Sequence, residues 1–150
     1  MAVITVADAL RRAEDFERAV ASFYSNVAVQ AEKDGVRLLT GYMSRRRPRV
    51  PERLALLGRN RLAAISSTPL TYEPYGADCH CLDGMSPPVA GSAAEVLDMA
   101  LNFNECLVRF YRQVIQQVAD PAVVELFESL ICLEQQDEIE LMKIKALDYF

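Results

Sequence analysis

The chain has 150 residues, 51% of them apolar and 25% charged, with a net charge of -5. That composition fits one ordinary globular domain and excludes a chain built mainly to bind nucleic acid or an anionic membrane surface. No apolar run is long enough to span a bilayer, and the N-terminus lacks the basic and apolar regions of a secretory signal.

A first helix is expected from about Val6 to Lys33. Apolar residues recur at Ala9, Ala13, Phe16, Val20, Phe23 and Val27, alternating three and four apart, which marks one helical face. Thr5 with Asp8 three residues on reads as an N-cap with an acidic partner. "KDG" at 33–35 is the expected stop. A second helical segment follows from about Val36 to Arg46. Pro48 and Pro51 should break or kink it, because proline removes a donor and clashes with the preceding turn. Helix should resume through "ERLALLGRNRL". Residues 66–91, rich in proline, glycine and turn formers, read as a long connection. Ser92 with Glu95 opens a third helix whose apolar face is Leu97, Ala100, Phe103, Leu107, Phe110 and Val114. Pro121 opens a fourth, where a first-turn proline is favourable. Its stripe is Val123, Phe127 and Leu130, then Glu134, Asp137 and Leu141.

The two halves align at a constant offset of 87 residues. Thr5 falls on Ser92, Asp8 on Glu95, Phe16 on Phe103, and Phe23-Tyr24 on Phe110-Tyr111. Caps, core positions and an aromatic pair coincide together, which points to a duplicated helical hairpin. The expected architecture is therefore all-α. It is a single domain over 1–150 with one hairpin at about 5–65, a crossover at about 66–91 and a second hairpin at about 92–150. Two such hairpins joined by one long crossover make a four-helix bundle.

The stretch "AAEVLDMALNFNECLVRFYRQVIQQVADPAVVELFESLICLEQQDEIELM", with "AEDFERAVASFY" in the first half, resembles the ferritin-like proteins, in particular the rubrerythrin-type branch. The resemblance covers nearly the whole chain. It implies a single-crossover bundle around two metal ions. The ligands it implies are one glutamate from each of the first and third helices and a Glu-x-x-His from each of the second and fourth. Carried over residue by residue, Glu17 matches the first-helix glutamate and Glu134 the fourth-helix glutamate. The third-helix position holds Asn104, and a histidine position holds Asp137. In the second helix the offset puts Arg47 opposite Glu134 and Val50 opposite Asp137. Neither histidine is present, and the chain's one histidine, His80, lies in the crossover.

Two readings follow. In the first, the di-iron centre is lost, the acids pair with Arg46 or Arg47 in a buried ionic cluster, no cofactor is bound, and the chain is a non-catalytic scaffold or interaction protein. In the alternative, Glu17, Glu134 and Asp137 form a reduced ligand set for iron or manganese, serving a metal-dependent oxidase, peroxidase or iron-handling protein. The expected partner is a second copy of the chain in a homodimer, and the expected location is cytoplasmic. There the four cysteines should be thiols, with Cys106 and Cys132 as small core fillers. Tyr24 and Tyr111 read as core aromatics whose hydroxyls find partners. Cys79-His80-Cys81 reads as a loop packed against the bundle, with a thiol sensor as the competing view.

Overall fold

The computed structural model describes residues 3–46, 48–74 and 92–147. Regular structure among them is helical: α1 (Val6–Gln30), α2 (Asp34–Ser44), α3 (Arg49–Leu57), α4 (Arg59–Ser66), α5 (Ala93–Gln116) and α6 (Pro121–Leu147). The all-helical expectation is met, and none of these helices is long and apolar enough to cross a membrane.

The caps are those the residues call for. The Thr5 hydroxyl accepts from the Asp8 N–H, and the Asp8 carboxylate accepts from the Thr5 N–H at 2.9 Å. This reciprocal bond satisfies amides that a helix start leaves unpaired. The Ser92 hydroxyl accepts from the Glu95 N–H at 3.3 Å. The Asp120 carboxylate accepts from the Ala122 N–H at 2.9 Å, with Pro121 in the first turn of α6.

Two boundaries differ from expectation. α1 stops at Gln30, where Ala31 turns extended (φ -67°, ψ 132°), so "KDG" does not end it. Asp34 and Gly35 instead open α2, and an aspartate in a first turn suits the positive end of the helix dipole. The break at Pro48 is present: α2 ends at Ser44, and Pro48 stands extended before α3. Helix does not then run unbroken through "ERLALLGRNRL". Gly58, at φ +81° and ψ 159°, separates α3 from α4.

The apolar stripes face inward as their spacing predicts. Leu97, Ala100, Phe103, Leu107, Phe110 and Val114 of α5 are all buried. So are Val123, Phe127, Leu130 and Leu141 of α6, together with Ala9, Ala13, Phe16 and Val27 of α1. Val20 and Phe23 are partly buried against that core. α1 packs along α2 and α5 along α6, while contacts of α1 and α2 with α5, and of α3 with α6, join the two pairs. The Phe103 ring stands edge-on to Phe16, Phe23 and Tyr24, at centroid distances of 5.5–6.3 Å. Tyr111 stacks edge-on against Phe110 and Phe127.

Beyond α4 the chain returns to the start of α1. The Val6 N–H donates to the Thr68 carbonyl at 2.9 Å, and the Leu70 N–H to the Ile4 carbonyl at 2.8 Å. The Tyr72 N–H then meets the Gln117 side-chain oxygen at 2.9 Å, beside the end of α5. Cys79, His80 and Cys81 lie outside the described residues. The helical cysteines depart from expectation. Cys106 is buried but disulfide-bonded, so the chain does not carry four free thiols. Cys132 is free and exposed, because it falls on the outer side of α6 rather than on its buried stripe.

Gly58 has no atom within 4 Å of where a Cβ would stand, so its constraint is conformational. Its backbone angles lie in a region that essentially only glycine occupies. Gly58→Ala is expected to lower unfolding stability by about 1–3 kcal/mol. A chemical-denaturation midpoint equal to that of the parent chain would contradict this.

Candidate functional site

Four elements converge midway along the helices. α1 presents Glu17, α5 presents Asn104, α6 presents Glu134 and Asp137, and the α2–α3 junction presents Arg46 and Arg49. Glu134 and Asp137 are three apart on a helix, so they share one face. That face continues the buried apolar stripe, and Asn104, Glu134 and Asp137 are all buried.

Asp137 is the most heavily bonded member. Its Oδ1 is paired with the Arg46 guanidinium and lies 3.0 Å from Arg49 Nη2. Its Oδ2 accepts from Asn104 Nδ2 at 2.9 Å. The same amide nitrogen donates to Glu134 Oε2 at 2.8 Å and reaches the Glu134 carbonyl at 3.2 Å. Arg49 is fixed further by donating to the Leu133 carbonyl at 3.2 Å.

Glu17 does something different. Its Oε2 accepts from the Arg49 backbone N–H at 2.6 Å and its Oε1 from the Val50 N–H at 3.0 Å. These are the first two amides of α3. Pro48, preceding them, has no side-chain group to cap them. Glu17 therefore serves as an N-cap supplied by another helix, a favourable place for a carboxylate.

Burial shapes the electrostatics. Glu134 is pushed up to about 7 by desolvation, with the Arg49 charge opposing and the Glu17 charge adding to the rise. Burial also raises Glu17, while the Arg49 and Val50 amides hold it down. The Tyr24 and Tyr111 hydroxyls are raised by burial and by the Glu134 charge, so both stay protonated. The Tyr24 ring borders a half-open cavity of about 130 Å³ beside Glu17, Arg46, Arg49 and Glu134. Tyr111 is fully buried, and among the described residues its hydroxyl has no hydrogen-bond partner, where one was expected.

The structure thus brings Glu17, Asn104, Glu134 and Asp137 together around one cavity. The donor set does not fit a pair of metal ions. Both Glu17 oxygens are engaged by backbone amides, and both Asp137 oxygens by nitrogen donors. Two guanidinium groups add positive charge where a divalent pair would need anionic ligands. Among the described residues no group of three or more His, Cys, Asp or Glu side chains is placed to hold an ion.

Arg46 joins the acids as expected, whereas Arg47 lies outside the described residues. Arg49 was not anticipated. Carrying the repeat offset through "RRRPRV" treats that stretch as continuous helix, but the Pro48 break resets the register. The available signal was Pro48 itself. A proline opening a helix makes the next two residues the first amide donors, and the first of them is an arginine. The Glu17 expectation differs as well: among the described residues its carboxylate accepts from the Arg49 and Val50 main-chain N–H groups and forms no ion pair with a guanidinium.

No family model, curated protein or solved structure matches this chain.

Two outcomes test this account. Glu134 ordinarily titrates near 4.5 and here near 7, so between those values the folded chain holds a proton that the unfolded chain has released. Its contribution is full below about pH 4.5 and is lost as pH rises through 7, at up to about 1 kcal/mol per pH unit. Urea unfolding across this window should show the decline, and Glu134→Gln should flatten it. An equal slope in parent and variant would contradict the assignment. Glu17→Gln keeps one acceptor oxygen but turns an NH₂ group toward the other α3 amide. It should lower thermal stability by about 1–2 kcal/mol, and an unshifted melting temperature would mean that the cap contributes nothing.

Proposed function

We propose that this chain is a ferritin-like four-helix bundle, built from two duplicated hairpins and one crossover, that has lost its di-iron centre. It works as a non-catalytic scaffold or interaction protein, with a second copy of itself as its expected partner. One observation carries the reading. Asp137, on the position of a family histidine, is neutralised by the protein's own Arg46 and Arg49. A cation that the polypeptide supplies does the charge balancing that metal ions do in the resembled family. Glu17, on the position of another family ligand, has taken up a structural task at the start of α3. Breaking such a buried pair by removing one partner is strongly destabilising, so stability is sufficient reason to keep these charges without invoking turnover.

The test is elemental analysis of protein purified from cells grown with added iron or manganese. The expected content is well below one ion per chain. Two bound ions per chain would overturn the reading and favour the metal-dependent alternative that uses Glu17, Glu134 and Asp137.

A further inference from the structure

We propose that the cavity beside the ionic cluster binds a compact neutral molecule with one hydroxyl on an apolar ring, a monocyclic phenol. The inference goes beyond the scaffold reading and rests on it in one respect, that metal does not fill this space.

The cavity encloses about 130 Å³ among α1, α5, α6 and the α2–α3 junction. An apolar cavity of roughly 150 Å³ is enough to take up benzene, so the space suits a single six-membered ring. Its walls are largely apolar. Val20, Met43 and Leu107 line it, together with the rings of Phe16, Tyr24 and Phe103. Phe16 and Tyr24 already meet Phe103 edge-on, a geometry that a further aromatic ring can join. Arg18 and Pro48 also line the cavity and are exposed, which marks its mouth.

Two polar groups in this lining have bonding capacity to spare. Glu134 uses Oε2 to accept from Asn104, and its Oε1 has no hydrogen-bond partner among the described residues. Tyr24 is only 3% exposed, and its hydroxyl likewise bonds to none of them. The neighbouring acids are committed, Glu17 to the amides of α3 and Asp137 to Arg46, Arg49 and Asn104. Buried polar groups normally have partners. A ligand hydroxyl serves both with one atom, since it donates to Glu134 Oε1 and accepts from the Tyr24 hydroxyl.

Charge narrows the class further. The lining carries three acids, Glu17, Glu134 and Asp137, and three arginines, Arg18, Arg46 and Arg49, so it is formally neutral. An anion would face the unpaired Glu134 oxygen and a cation the guanidinium groups, each without a free counter-charge to offset its lost water. A neutral ring with a hydroxyl incurs neither cost.

Chemical-shift titration of the full chain with phenol, benzene and benzoate tests this by NMR. Phenol should bind with a dissociation constant below about 1 mM. Benzene should bind at least about threefold more weakly, and benzoate more weakly than phenol. Tyr24→Phe removes a hydroxyl that bonds to no described residue, so the fold should persist. It should weaken phenol by about three- to tenfold and leave benzene within about twofold. Ala21, partly buried, also lines the cavity, and Ala21→Leu should block both ligands by filling it, with circular dichroism confirming the fold. A parent chain that binds phenol no better than benzene or benzoate, or not at all below about 1 mM, overturns the inference. So does a Tyr24→Phe chain that binds phenol as tightly as the parent, or an Ala21→Leu chain that still binds it. Metal content is measured on the same samples. Two ions per chain would defeat the loss of the di-iron centre, whereas a metal-free chain that ignores phenol defeats this inference alone.

Discussion

Asp137 receives two guanidinium groups and a carboxamide within the interior, and the arrangement of the helices around it depends on that convergence. Through these bonds α6 is tied to the α2–α3 junction on one side and to α5 on the other. A buried carboxylate is costly unless partners replace its water, and here both of its oxygens are engaged. The arginines are constrained in turn, since Arg49 also holds a carbonyl of α6 and sits at the first position of α3. Geometry this interlocked leaves little freedom for a helix to slide past its neighbour. The polar cluster specifies register, while the surrounding aromatic and aliphatic side chains supply most of the burial.

The two halves solve the same problem with different chemistry. Glu17 and Asn104 are equivalent under the 87-residue offset. Glu17 reaches from α1 to the start of α3 and accepts from two main-chain amides. Asn104 reaches from α5 to the middle of α6 and donates to two carboxylates. The difference follows from what each faces. The Pro48 interruption leaves bare N–H groups that require an acceptor. Unbroken α6 presents Glu134 and Asp137, which require a donor. A carboxylate at position 104 would add a third negative charge beside Glu134 and Asp137, and an amide there removes that repulsion.

The helical faces were readable because they rest on local periodicity, and every stripe position of α5 and α6 is buried. The caps at Thr5 and Ser92 and the break at Pro48 were readable because each follows from one residue's own hydrogen-bonding chemistry. The acids of the cluster could be named for a related reason: polar residues on an otherwise apolar stripe must meet inside. Their partners were harder to name. Arg49 pairs with Asp137 across 88 positions, and no local pattern records which of several neighbouring arginines turns inward. The end of α1 at Gln30 and the break at Gly58 escaped because glycine and aspartate serve equally at helix starts, ends and interruptions. The exposure of Cys132 was legible too: residue type alone suggests a core filler, but its place on the α6 wheel points outward.

α3 and α4 contain nine and eight residues, fewer than a helix needs to persist alone in water. The opening amides of α3 are held by a side chain 32 positions earlier in the chain, on α1. This stretch therefore has no independent existence as helix and can order only once α1 is in place. Amide exchange along residues 49–66 should accordingly report the docking equilibrium of this piece against α1 and α6, not helix–coil fraying, and would mark it as a cooperative unit of its own within the molecule.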